Sequence, residues 1–162
     1  MAGVLFQRPV KTLLAGISSS GVVTDAALVF VTGNNKFGQL GVDNTTTQST
    51  TPTQNAIPGK VSHISSGGTF MLAIVGNTTY SWGDNSRGQI GQGNANVSLI
   101  PTAVTVPYKP TPIAVIATTD IAYSTNPGSG GSSYLIVEGI LCFGVFQDNA
   151  KVCSTNGACV AQ

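Results

Sequence analysis

The sequence predicts an all-β chain: part of a β-propeller, about two and a half four-stranded blades. Two observations carry this. Thr32-Gly33-Asn34-Asn35-Lys36-Phe37-Gly38-Gln39-Leu40-Gly41 returns as Trp82-Gly83-Asp84-Asn85-Ser86-Arg87-Gly88-Gln89-Ile90-Gly91, each glycine displaced by fifty positions. A period of this length is the signature of a propeller or solenoid built from equivalent units. The 162 residues also carry 20 glycines and eight prolines between short segments rich in Val and Ile, which favours many short strands with tight connections.

The second copy shows the unit most clearly. Lys60–Ser66 reads as a strand, Gly67-Gly68 as a break, and Thr69–Val75 as a second strand. Gly76-Asn77-Thr78 fits a hairpin turn, and Thr79–Trp82 returns antiparallel. Asn94–Pro101 reads as a loop and Thr102–Val106 as a fourth strand. The first copy follows the same order. Leu13–Ser19 stands for Val61–Ser66, and Gly21 for Gly67 or Gly68. Ala26–Thr32 leads into the glycine run through a turn about three residues shorter. Asn44–Thr51 is its polar loop, closed by Pro52-Thr53 as Pro101-Thr102 closes the other.

A third copy is eroded. Ile113–Thr118 stands for the first strand, and Ser124–Ser133 inserts a Gly/Ser-rich loop. Tyr134–Val137, Glu138-Gly139 and Ile140–Gly144 restore the hairpin, with Cys142-Phe143-Gly144 in place of Ser81-Trp82-Gly83. These limits divide the chain into blades at 13–59, 60–112 and 113–144, followed by a Cys-containing tail at 145–162.

Composition narrows the function classes. Only 8% of residues are Asp, Glu, Lys or Arg and the net charge is +1, against about 25% charged residues in an ordinary soluble domain. The lysines and arginines are scattered, so there is no electrostatic case for nucleic acid. No apolar run reaches the roughly 20 residues of a membrane span. Met1–Gly16 has no clear secretory leader, because Arg8, Pro9 and Lys11 interrupt it. Either the protein is not secreted or the chain does not begin at its natural N-terminus.

Tyr80-Ser81-Trp82-Gly83-Asp84-Asn85-x-x-Gly88-Gln89-Ile90-Gly91, with Ile64-Ser65-Ser66-Gly67-Gly68 before it and Pro101 after it, resembles the regulator of chromosome condensation repeat. The resemblance covers roughly Leu13 to Gly144, is specific in the second copy, good in the first and weak in the third. It implies blades of a seven-bladed propeller. The repeat residues Gly33, Gly38, Gln39, Gly41, Gly67, Gly68, Trp82, Gly83, Gly88, Gln89 and Gly91 have physical roles in such a fold. Glycines permit positive φ at sharp turns near a crowded axis. Gln89 can satisfy turn backbone that would otherwise be buried unpaired, and Trp82 offers an apolar plate between blades. The family often has a His two or three residues after the double glycine. Phe70 and Met71 stand there, so packing replaces that polar network.

Two and a half blades leave open faces and edges. The chain reads as a fragment of a longer product, in preference to self-assembly or a short open stack, because terminal repeats normally carry capping sequence and these do not.

The tail Val152-Cys153-Ser154-Thr155-Asn156-Gly157-Ala158-Cys159 resembles the opening of an epidermal-growth-factor-like module. Three cysteines, Cys142, Cys153 and Cys159, leave one without an intrachain partner. A Cys153–Cys159 or a Cys142–Cys153 bridge fits, and the residues do not choose between them.

Candidate chemistry is sparse. His63 is the single histidine, placed on a strand with no Ser/Asp or Cys/Asp partner at recognisable spacing. The six carboxylates form no close pair for general acid/base work. The cysteines lack zinc-site spacing, and Asp84-Asn85-Ser86 reads as a polar turn and not a calcium loop. No enzyme activity, metal or cofactor is expected. Sequons at Asn44, Asn77 and Asn96 fall in predicted loops or turns. With the low charge and the tail, they point to an extracellular or lumenal location, the alternative being cytoplasmic. The expected function is a non-enzymatic interaction module that binds a protein or glycan through Asn44–Thr51 and Asn94–Ile100. The alternative, implied by the resemblance, is nucleotide exchange on a small GTPase.

Overall fold

The computed structural model describes residues 8–43, 47–86, 88–92 and 94–104 in full, and the backbone of the strands within 112–118, 132–137, 140–144, 151–153 and 159–161. Its described elements are β-strands. Blade 1 is an antiparallel sheet in the order β1 (Val10–Ala15), β2 (Ser19–Thr24), β3 (Val29–Asn34), β4 (Gln48–Gln54). Blade 2 repeats it with β5 (Val61–Ser66), β6 (Phe70–Val75), β7 (Thr78–Gly83), β8 (Ser98–Ala103). A third sheet holds β9 (Pro112–Thr118), β10 (Ser132–Val137) and β11 (Ile140–Gly144), and β12 (Lys151–Cys153) pairs with β13 (Cys159–Ala161). First strands adjoin first strands: β1 meets β5, and β9 lies alongside β5 and β6. That stacking is a propeller's, with each sheet's first strand innermost.

The core lies between the blades. Blade 1 contributes Leu14, Val23, Val29, Val31 and Leu40, and blade 2 contributes Val61, Met71, Ala73 and Trp82. Phe70, Leu72, Ile74 and Ile90 form a second buried cluster. Strand alternation places Phe70, Leu72 and Ile74 on the face of β6 opposite Met71 and Ala73. Both faces of β6 are therefore covered, and its sequence FMLAIV is apolar throughout. Phe70 and Met71, standing where the family often has His, are buried.

Several boundaries differ from the sequence reading. β1 begins at Val10, and Ser19 opens β2. Gly16, not Gly21, is the counterpart of Gly67: Gly16 N–H donates to Ser19 O as Gly67 N–H donates to Phe70 O, each at 2.8 Å. Gly21 lies inside β2, where a Cβ would stand 2.7 Å from Phe30 O. The first-copy hairpin turn is longer than the second by one residue, not shorter. Five residues separate the paired Val23 and Val29, and four separate Ile74 and Thr79. Thr24 widens it, its Oγ1 accepting Leu28 N–H at 3.3 Å, and Ala27 takes φ 61°.

The fourth strands also start earlier than expected, at Gln48 and Ser98, and run through Pro52 and Pro101. Both prolines sit in irregular stretches of the outermost strand, where an edge needs no N–H donor. Hydroxyls hold each irregularity in the same way. Ser49 Oγ donates to Thr51 O at 2.7 Å and lies 3.1 Å from Thr53 Oγ1; Ser98 Oγ donates to Ile100 O at 2.8 Å and lies 3.0 Å from Thr102 Oγ1.

Candidate functional site

The repeated glycine run is a clasp between blades. It connects β3 to β4, and β7 to β8, and its glycines take the positive φ that the sequence suggested. In blade 1 the run folds over blade 2. Trp82, fully buried, donates from Nε1 to Gln39 O at 3.1 Å. At Gly41, φ is +60° and a Cβ would lie 2.6 Å from that same Nε1, so the neighbour's indole fits only against glycine. A Cβ on Gly38 would likewise meet Leu99 of β8 at 2.8 Å.

Buried polar side chains brace the clasp from beneath. Asn35 Oδ1 accepts Leu40 N–H at 3.0 Å, and fifty residues on Asn85 Oδ1 accepts Ile90 N–H at 3.2 Å. Gln39 Oε1 accepts Phe37 N–H at 3.0 Å, and its Nε2 donates to Asn34 Oδ1 at 3.0 Å. Gln89 is buried at the matching place. The carbonyl at the crest is held differently in the two blades. Asn55 Nδ2 donates to Leu40 O at 2.6 Å, whereas Ser81 Oγ donates to Ile90 O at 2.7 Å. Gln92 Nε2 then donates to Ser81 O at 3.0 Å.

Above this rigid base the tips are exposed. Asn34 Oδ1 accepts Lys36 N–H at 2.8 Å, and Asp84 Oδ1 accepts Ser86 N–H at 3.0 Å. These are equivalent Asx turns in neighbouring blades. Lys36 Nζ stands 5.5 Å above the Phe37 ring, within cation–π range. Asn94 to Val97 are exposed, and Asn94 Oδ1 accepts Asn96 N–H at 2.8 Å. The turns Ile17-Ser18 and Gly68-Thr69 join the same end, because Ser18 O accepts Asn34 N–H and Thr69 O accepts Asp84 N–H. The candidate site is this end of the two blades: firmly based loops set side by side, with polar tips.

The sequence-predicted contact stretches fall only partly here. Asn44 lies outside the described residues, while Gln48–Thr51 and Ser98–Ile100 belong to the edge strands β4 and β8. Asn96 is exposed at the loop end. Asn77 is exposed on the hairpin turn at the opposite end. His63 is exposed on β5. Asp84 and Asn85 use their side chains within the turn and its brace, and Ser86 contributes its backbone N–H. Among the described residues no group of three His, Cys, Asp or Glu side chains is placed to hold a metal, and no helix is long and apolar enough to cross a membrane. In the tail, register sets Cys153 opposite Cys159, and in the third sheet Cys142 opposite Leu135; Asn156-Gly157 lies outside the described residues.

Stacked four-stranded blades, clasped through a glycine loop onto a neighbour's tryptophan, define a propeller-repeat protein whose exposed loops crown one end. Residues 27–74 and 77–118 match the regulator of chromosome condensation (RCC1) repeat, and the chain belongs to that family. The chain is 33% identical over 104 residues to the human X-linked retinitis pigmentosa GTPase regulator, covering 61% of this chain and 10% of that protein. The dog protein of the same name is 33% identical over 100 residues, covering 60% and 10%. The chain thus spans about a tenth of the length of these relatives. Among solved structures, human WBSCR16 superposes with a TM-score of 0.64 at 25% identity, covering 80% of this chain and 31% of that one. Prp20p of Saccharomyces cerevisiae gives 0.66 at 15% identity, covering 72% and 31%.

The matched repeats do not coincide with the blades. Residues 27–74 contain β3 and β4 of blade 1 with β5 and β6 of blade 2. One unit of sequence therefore holds the outer half of one sheet, its clasp and the inner half of the next.

Proposed function

We propose that the chain is the docking segment of an RCC1-type propeller, a non-enzymatic module that binds a protein through the loop end of its blades. The observation that carries this reading is the pair of equivalent, braced loops with exposed tips at Lys36 and at Asn94–Val97. Loops on a rigid scaffold are where binding residues concentrate, and bases this well bonded hold their tips with little ordering left to do on binding. The test is affinity capture from the producing cells with the full chain as bait, beside a variant carrying Lys36→Ala, Asn94→Ala and Val97→Ala. Loss of the same captured protein from the variant, with unchanged circular dichroism, is the expected result. Equal capture by both chains would remove the loop end from the function.

A second reading, regulation of a small GTPase, is favoured by the names of the relatives: two are GTPase regulators, and the Prp20p structure is reported with that protein's binding properties to Gsp1p and histones. A nucleotide-release assay on a GTPase of that class separates the readings. Acceleration at catalytic concentrations supports it, and no acceleration with the full-length product counts against it. We also assign the module to an extracellular or lumenal compartment, on the strength of the exposed sequons at Asn77 and Asn96, and keep a glycan as the alternative ligand of the loop end. A glycosidase-sensitive mass on the native protein is expected, and unmodified peptides spanning both residues would count against that compartment.

A further inference from the structure

The outermost strands of the two blades share one bulge and differ in what it carries. Ser49 pairs with Gly33 and Thr53 with Val31, so Thr50, Thr51 and Pro52 together face the single residue Thr32. In blade 2, Ser98 pairs with Gly83 and Thr102 with Ser81, and Leu99, Ile100 and Pro101 make the same bulge. The flanking hydroxyls hold it. Ser49 Oγ and Thr53 Oγ1 both donate to Thr51 O, at 2.7 and 3.2 Å. Ser98 Oγ and Thr102 Oγ1 both donate to Ile100 O, at 2.8 and 3.1 Å. The crest of the blade 1 bulge has no such role: Thr50 and Thr51 are exposed, and neither hydroxyl has a hydrogen bond among the described residues. β4 ends its sheet, with no described strand on its outer side, so both residues stand on open, extended backbone. Pro52 supplies no N–H and keeps Thr51 extended.

We propose that Thr50 and Thr51 are acceptors for O-linked sugar, a neutral, hydrated cover over the outer edge of blade 1. Seven of the ten residues 45–54 carry a hydroxyl, and a Ser/Thr-rich stretch with proline is the composition of O-glycosylated segments. Natural edge strands are shielded by charged side chains as well as by proline; β4 has the proline, and residues 44–59 contain no charge. A sugar fits this edge better than a phosphate, because a phosphate is stabilised by cationic partners and no Lys or Arg lies between Lys36 and Lys60. Blade 2 has Leu99 and Ile100 at these places, 36% and 41% exposed, and offers no acceptor there. In the transfer, Thr Oγ1 attacks the anomeric carbon of a nucleotide-activated sugar. The Oγ1–C1 bond forms as the bond from C1 to the phosphate oxygen breaks. The nucleoside diphosphate leaves, and the hydroxyl proton passes to the transferase's base.

The site is tested by mass spectrometry of the native protein after trypsin and peptide N-glycosidase, read on the peptide Phe37–Lys60 with fragmentation that keeps side-chain groups attached. Hexose or N-acetylhexosamine increments on Thr50 or Thr51 are expected. They should disappear from a chain carrying Thr50→Ala and Thr51→Ala made in the same cells, whose Tm should stay within about 2 °C of the parent. Sugars extended beyond the first unit, beside occupied sequons, mark a secretory route; a single N-acetylhexosamine beside bare sequons marks a cytosolic one, so the site and the compartment are read separately. Bare Thr50 and Thr51 would overturn the proposal, whether or not Asn77 and Asn96 carry glycan. So would a phosphate increment at either residue, or sugars confined to other hydroxyls of the peptide.

Discussion

Blade 1 and blade 2 share one hydrogen-bonding plan and differ in how many of their faces are covered. β6 reads FMLAIV and is buried along nearly its whole length, whereas β2 reads SSGVVT and alternates. The backbone pairings of the two strands are nevertheless equivalent. The apolar content of each strand thus follows how much of it is covered within this chain, while the glycines and asparagines of the clasp recur in both blades. A strand covered on both faces loses its alternation, and that is what separates the two sequences.

The largest effect should come from the residue that most divides the blades. Trp82→Ala removes a fully buried indole from the blade boundary and leaves Gln39 O without its donor, at about 3–5 kcal/mol. Its register counterpart Thr32, whose Oγ1 donates to Ser49 O at 2.9 Å within its own blade, should cost about 1 kcal/mol or less as Thr32→Ala. Urea unfolding of the two variants measures the contrast, and equal losses would mean that the inter-blade seam is not the weak plane. Gly41→Ala comes next, at about 1–3 kcal/mol for a Cβ in the left-handed region, with displacement of the indole added. A red shift in the emission of Trp82, the chain's single tryptophan, should accompany it.

The brace comes third. Asn55→Ala strips the donor from a buried carbonyl in blade 1, and Ser81→Ala does the same in blade 2. Each should cost about 1–3 kcal/mol, and the two should add, because they act on separate clasps. A strongly non-additive double variant would show that the clasps move as one. The smallest effect belongs to Ser19→Ala. Ser19 Oγ is buried and makes no hydrogen bond, so its removal should change stability by no more than about 0.5 kcal/mol in either direction. A loss above 1 kcal/mol by calorimetry would reveal a bridging water.

What could be read in advance follows from what repeats. The fifty-residue offset exposes the glycine run and the hairpin of blade 2, because φ and close-approach requirements recur in every blade. Asn35 and Asn85 carried the same signal inside the run, and an eye kept on the glycines passes over them. Asn55 could not be found that way: the second blade answers the same need with Ser81, from another strand. The Thr-rich β4 and the Pro-containing β8 read as loops because edge strands tolerate polar and cyclic residues that inner strands do not. Where the loop tips point, and how two of them come to lie together, depends on stacking between blades, and no single copy contains that information.

The offset between repeat and blade has a consequence for the history of such chains. Each sequence unit carries its own joint, from the clasp through Asn55 to the first strands of the next sheet. When recombination inserts or deletes one whole unit, every remaining joint still has both of its halves. Arrays of this kind can therefore lengthen or shorten without any boundary having to be matched anew.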